Sequence, residues 1–224
     1  MTTPNPDPAT ETRPLVLVTG CEKYRIYVEA SLVRFAHPAV RVVGFVGDPT
    51  GTLTAPQFDA SAQIVTLPVS DIYEALPAKV HAAFSWAAVT FPAVPGIWKT
   101  DDDIVYANKE HLVAAIQGLT AEPFWGLFVG ACRANPVNPW RIQERFEDKT
   151  LTPKHQQAIY CYGHGYWVSR AALPLVVAAG DTYRESYLED VCTGYVLNRA
   201  KIIPKRCAIP YSELPRGPEL LRAK

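Results

Sequence analysis

The sequence predicts an α/β fold in which a mixed, largely parallel sheet is flanked by helices. Short apolar, β-branched runs alternate with helix-length segments through the first half, the signature of parallel layering. Several of these runs close on Gly, Asp or Pro, as strands do when they enter a loop. The acidic triplet Asp101-Asp102-Asp103 directly follows one such run, at the carboxyl end of a strand, where sheets of this kind bind ligands.

The elements can be justified in order. Leu15-Val16-Leu17-Val18-Thr19, ending in Gly20, reads as a buried strand. Tyr24 to Phe35 has helical length, with Ile26, Ala30 and Val33 available to one face. Val40 to Val46 is a second strand closed by Gly47-Asp48-Pro49, and Asp48 to Pro56 is a loop. Gln63 to Leu67 is a third strand. Lys79 to Val89 spaces Val80, Ala83, Phe84 and Ala87 as one helical face. The strand entering the triplet comes next, and Asn108 then caps a helix over Lys109 to Leu119. Phe124 to Cys132 is an aromatic-rich strand, and Ala134 to Pro153 is polar and irregular. Ile159 to Tyr162 and Tyr166 to Val168 flank Gly163-His164-Gly165, which a hairpin turn with positive φ or a close approach to a sugar would equally explain. Helices follow over Arg170 to Ala179 and Glu189 to Arg199, and a proline-bearing tail wraps the surface.

At 224 residues the chain suits one domain, 15–224, preceded by a polar, proline-rich stretch, 1–14, read as a disordered tail. The formal net charge is zero, which offers no basic field for nucleic acid and no polybasic run for a membrane surface. No apolar run approaches the ~20 residues of a transmembrane helix. The N-terminus lacks the basic start and apolar centre of a signal peptide. Five widely spaced cysteines without a Cys-x-x-Cys pair argue for neither a zinc site nor a disulfide framework. The expected compartment is the cytoplasm.

Three adjacent carboxylates repel one another and persist where solvent or a bound cation offsets the repulsion. Ile97, Trp98, Ile104 and Val105 around the triplet argue against a freely solvated loop. Carboxylate oxygens suit Mg²⁺ or Mn²⁺, whose usual further partner is a substrate phosphate. An acidic turn or a helix cap is the plainer alternative, but a cap needs one Asp. Ser186-x-x-Glu189 fits a capping box, which makes Glu189 structural and leaves Asp190 unexplained.

Trp98-Lys99-Thr100-Asp101-Asp102-Asp103-Ile104-Val105-Tyr106-Ala107-Asn108 resembles the Lys-x-Asp-Asp-Asp-Val-Phe-x-Asn segment of the β-1,3-galactosyltransferase group, glycosyltransferase family 31. Asp71-Ile72-Tyr73-Glu74-Ala75-Leu76-Pro77-Ala78-Lys79 is similar to its Asp-x-Tyr-x-Asn-Leu-Thr-x-Lys stretch, with Ala75 in place of Asn. Tyr160 to Ser169 resembles Tyr-x-x-Gly-x-Gly-Tyr-x-x-Ser, and Glu189 to Gly194 resembles Glu-Asp-Val-x-x-Gly. Each motif alone is weak, whereas four in the right order over about residues 71 to 199 are specific.

The resemblance implies a GT-A-type (Rossmann-like) fold and inverting hexosyl transfer from a UDP-sugar donor to an oligosaccharide or glycoconjugate acceptor, with Mn²⁺ or Mg²⁺. Asp101 and Asp103 would address metal and diphosphate, Asp102 the donor sugar or ribose, and Asp190 the acceptor hydroxyl as general base. Lys79 is expected near the donor. Gly163, Gly165, Tyr166 and Glu189 are expected beside substrate, with Tyr166 and Trp167 as apolar walls, and Trp140 as an exposed aromatic for stacking on acceptor. Members of that family commonly add a late histidine ligand. No histidine follows His164 here, so that ligand is missing or replaced by water. The other readings are a non-catalytic nucleotide-sugar or carbohydrate-binding module and a phosphate-hydrolysing metalloenzyme.

Overall fold

The computed structural model describes residues 7–131 and 158–214. The first half runs β1 (Leu15–Thr19), α1 (Arg25–Phe35), β2 (Arg41–Asp48), β3 (Gln57–Asp59), β4 (Ile64–Ser70), α2 (Leu76–Thr90), β5 (Gly96–Asp101) and β6 (Ile104–Tyr106). After α3 (Lys109–Gly118) come β7 (Phe124–Gly126), β8 (Val129–Ala131), β9 (Ile159–Cys161) and β10 (Gly165–Ser169). The remainder is α4 (Leu173–Val177), α5 (Gly180–Arg184), α6 (Glu189–Arg199), β11 (Lys205–Arg206) and β12 (Tyr211–Glu213).

An eight-stranded sheet in the order β11-β7-β10-β5-β1-β2-β4-β3 forms the centre. β5, β1, β2 and β4 are parallel to their neighbours within that run, while β10 runs antiparallel between β5 and β7. This is the mixed, largely parallel sheet that the strand–helix alternation predicts. The strands are apolar on both faces, so each face builds its own core. Leu15, Leu17, Phe45 and Ile97 pack with Val80, Phe84 and Ala87 of α2 on one side. Val16, Val18, Trp98 and Trp167 pack with Val28 of α1 and Leu112 of α3 on the other. Two small ribbons, β12 with β6 and β8 with β9, stand beside the sheet.

Several expectations change. The inner face of α1 is Val28, Ser31 and Phe35, whereas Ile26 and Val33 are exposed. Both faces of this helix carry apolar residues, so spacing alone selects the wrong one. Phe124 to Ala131 is two strands in separate sheets, because β7 pairs β10 whereas β8 turns away to pair β9. Gly163-His164-Gly165 is not a hairpin turn, since β9 and β10 belong to different sheets. Among the described residues, Gly51 is the glycine with positive φ. The helix expected over Arg170 to Ala179 is shorter, α4 alone (Leu173–Val177), and a second short helix, α5, begins beyond it at Gly180. Of the stretch read as a tail, residues 7–14 include a 3-10 turn at Pro8–Thr10, and Glu11 is buried against the Arg13 guanidinium.

Candidate active site

The parallel strands deliver four loops to one edge of the sheet, and Asp71 fastens three of them. Its carboxylate accepts Gly47 N–H at 2.7 Å, Glu22 N–H at 2.5 Å and Lys79 Nζ at 2.8 Å. Lys79 also donates to the Gly20 carbonyl at 2.8 Å and is buried, so it is a brace between β1 and α2 rather than a solvated helix charge. Gly47 is required here because a Cβ would meet Asp71 Cα at 2.7 Å.

The triplet begins on the last residue of β5. Strand alternation puts Lys99 and Asp101 on one face and Thr100 on the other. Lys99 is 1% exposed, and its ammonium donates to Asp101 Oδ1 at 2.7 Å, Glu189 Oε1 at 2.7 Å and the Gly163 carbonyl at 2.9 Å. Burial opposes the charged form, but the Asp101 and Glu189 carboxylates outweigh it and hold Lys99 above the ordinary lysine range. Asp102 turns inward. Its N–H bonds the Thr19 carbonyl, its own carbonyl accepts Ser31 Oγ at 2.8 Å, and a Cβ on Gly20 would lie 3.2 Å from its Oδ2. Arg34 lies close enough to Asp102 and Asp103 to feel both charges, and it donates to the Ile104 carbonyl at 2.8 Å. The offset to the triplet's repulsion is therefore built from protein cations, Lys99 on one side and Arg34 on the other.

The other half of the site comes from α6, whose first turn carries Glu189 and Asp190. Leu188 is its N-cap and Ser186 Oγ bonds the Leu188 carbonyl, so the Ser186–Glu189 capping box does not form. Glu189 is instead a buried junction, shared by Lys99 and by Tyr166 Oη, which donates to Oε2 at 2.6 Å. Thr193 Oγ returns to the Glu189 carbonyl at 2.9 Å and meets Tyr183 Oη at 2.7 Å. Asp190 accepts the Gly163 N–H at 3.1 Å and the Val191 N–H at 2.8 Å. Burial first, and the Glu189 charge second, push the Asp190 carboxyl up to about 7, against the pull of those N–H groups and Lys99.

The Gly163–Gly165 turn is clamped between these halves. The His164 carbonyl accepts Thr100 Oγ at 2.8 Å, and its ring meets Tyr211 Oη through Nδ1 at 2.9 Å and Glu213 through Nε2 at 3.1 Å. A Cβ on Gly165 would strike Trp98 at 2.5 Å and Tyr106 Oη at 2.7 Å, so this glycine serves close packing. Tyr166 and Trp167 are fully buried and cannot be walls against a sugar; Tyr166 acts through Glu189. Trp140 lies outside the described residues.

Asp101, Gly163, Glu189 and Asp190 thus converge around Lys99, while Asp102 and Lys79 sit on the β1 side. Reasoning from residues alone missed Lys99, Arg34 and Asp71. The available signal was a lysine inside an apolar strand, a position that demands paired burial. Among the described residues, no three His, Cys, Asp or Glu side chains gather closely enough to hold a metal by themselves. No helix among them is long and apolar enough to cross a membrane.

A family model described as Galactosyltransferase matches residues 58–208, well over half the chain. Beta-1,3-galactosyltransferase 2 of Homo sapiens is 27% identical over 135 residues, covering 60% of this chain and 32% of the relative. The Mus musculus protein of the same name is 26% identical over the same shares. The chain therefore spans about a third of the length of the curated relatives it matches, 32%. Among solved structures, a mannose-1-phosphate geranyltransferase from Thermus thermophilus overlaps at TM-score 0.46 with 14% identity, covering 90% of this chain and 75% of that one. The galactosyltransferase LgtC with donor and acceptor sugar analogues gives TM-score 0.37 at 12% identity, covering 82% and 69%. These overlaps are partial, and the fold rests on the strands and helices described above.

Proposed function

The chain belongs to the galactosyltransferase family, and on that premise we propose that it transfers a hexose from a nucleotide-sugar donor, UDP-linked, to a glycan hydroxyl with inversion. The observation that carries this reading is Lys99, which joins the first Asp of the triplet to the Glu189–Asp190 pair and so makes one site from residues 90 positions apart.

Donor chemistry supports a hard divalent cation, Mn²⁺ or Mg²⁺, at Asp101 and Asp103. Such ions are commonly held by one or two carboxylates and completed by substrate phosphates, which suits a site with no three-ligand cluster among the described residues. When bound, the ion would offset the negative charge growing on the departing diphosphate. Asp101 keeps Oδ2 for that role, since Oδ1 is taken by Lys99. Asp102 and Lys79 shape the donor side, and Lys79 does so by fixing Gly20 and Asp71. Asp190 takes the proton of the acceptor hydroxyl as it attacks, and its carboxyl near 7 suits a base that must hold that proton. Attack from the face opposite the leaving diphosphate inverts the anomeric centre. Glu189 stays with Lys99 and Tyr166 and orients the turn of helix that carries Asp190.

A screen of UDP release over nucleotide sugars, with Mn²⁺ or chelator and a mixed glycan acceptor pool, tests the proposal. Acceptor-dependent release with Mn²⁺ is expected. The lack of a three-ligand cluster among the described residues leaves one second reading, a nucleotide-sugar-binding module without turnover. UDP binding with no release under any donor and acceptor would select it.

A further inference from the structure

Four aromatic rings close a circuit beside the base. Phe128 and Tyr162 lie near-parallel at 6.1 Å, Tyr162 meets His164 at 6.2 Å, His164 meets Tyr211 at 5.3 Å, and Tyr211 returns to Phe128 at 5.8 Å. Tyr160 backs Tyr162 at 5.4 Å, and Arg206 lies over Phe128 at 5.1 Å. Phe128 and Tyr162 are 38% and 37% exposed, while Trp98, Trp125, Tyr166 and Trp167 are wholly buried. Exposed rings gathered into one patch are the kind of surface that ligand sites use. Gly130 makes the room, because a Cβ there would meet Tyr162 Cε1 at 2.6 Å and Tyr160 Cζ at 3.1 Å.

The circuit touches both halves of the site. Tyr162 precedes Gly163, whose N–H rests on Asp190 at 3.1 Å. Tyr211 and Glu213 hold His164, and the next residue, Leu214, donates its N–H to the Asp103 carbonyl at 2.7 Å. A pyranose presents a patch of C–H groups on one face and hydroxyls around its rim. The circuit offers the matching surface, with aromatic faces inside and the Tyr162 and Tyr211 hydroxyls, the His164–Glu213 pair and Arg206 around it. We propose that Phe128, Tyr162 and Tyr211 form the acceptor subsite, with Tyr162 stacking on the apolar face of the acceptor pyranose so that a hydroxyl reaches Asp190. This rests on the transferase reading above and replaces the walls expected at Tyr166 and Trp167.

Two measurements on the full chain test it. With a UDP-sugar donor and methyl β-galactoside or methyl β-N-acetylglucosaminide as acceptor, Tyr162→Ala should raise acceptor KM by about tenfold or more, with UDP affinity unchanged, and Tyr162→Phe, which keeps the ring and loses only the rim hydroxyl, should raise it by less than Tyr162→Ala does. Independently of turnover, saturation-transfer NMR with methyl β-galactoside should show transfer from the protein to the sugar's C–H face. That signal should be lost in Tyr162→Ala and weakened in Gly130→Val, which displaces the ring without removing it. An unchanged acceptor KM, or equal saturation transfer in parent and Tyr162→Ala, overturns the subsite. Absence of transfer activity in the parent sinks the transferase reading instead, and the NMR comparison still decides the subsite.

Discussion

At the scale of single residues, the site turns on how few charges offset many. Lys99 is the buried counter-ion of Asp101 and Glu189 together. Lys99→Met would leave both carboxylates without it, a loss of about 3–5 kcal/mol by the usual cost of breaking a buried pair, to be read from urea unfolding. Asp190 gives the opposite sign. Its carboxyl titrates near 7 in the folded protein against an ordinary value of 3.8, so the folded state holds an extra proton between those values. That contribution to stability is complete below about pH 4 and is lost as pH rises through 7. Asp190→Asn cannot ionise, and its melting temperature should gain on the parent between pH 5 and pH 8. The same variant should lose about 10²-fold or more in transfer while keeping UDP affinity, and kcat/KM of the parent should rise with pH through about 7. The Asp101-Asp102-Asp103 and Glu189-Asp190 carboxylates were legible in the sequence because each set is contiguous. Lys99 and Arg34 were not, because their partners are fixed by tertiary contact and spacing carries no trace of it.

At the scale of elements, the position of α6 decides where Asp190 sits. Gly194 lets this helix lie directly on β9, since a Cβ would meet the Ile159 carbonyl at 2.7 Å and Tyr160 Cα at 2.8 Å. Alanine favours a helix interior by about 1 kcal/mol over glycine, yet backbone in the way leaves nothing flexible to yield. Gly194→Ala should therefore destabilise by about 1–3 kcal/mol and reduce transfer more than UDP binding, measured by denaturation and kinetics on the same preparation. The bounds of α6 were read correctly from sequence, because its apolar spacing is uninterrupted between Leu188 and Ala200. The break between β7 and β8 was not, because Leu127-Phe128 continues the apolar run and only pairing partners divide it. β12 escaped for a similar reason: a two-stranded ribbon held by Tyr106 and Tyr211 has no alternation long enough to read.

At the scale of the whole molecule, the parallel half of the sheet carries the loops that Asp71 joins and the antiparallel half carries the Gly163–Gly165 turn, with β5 between them. A ligand that binds only the folded arrangement should raise its melting temperature. UDP at a hundred times its Kd, with Mn²⁺, adds about 2.7 kcal/mol, or roughly 5–10 °C for a chain of this size. Chelator or Asp103→Asn should remove the shift, which differential scanning fluorimetry would read. The strand–helix alternation was enough to give the architecture, whereas the meeting of Asp101 with Glu189 required the sheet itself. The pairing of β12 with β6 has a consequence for synthesis. All eight strands of the central sheet have been synthesised once Arg206 is added, but the partners of His164, Tyr211 and Glu213, come afterwards. In order of synthesis the strands of the scaffold thus precede the residues that hold the Gly163–Gly165 turn, which are among the last of the described residues to be translated.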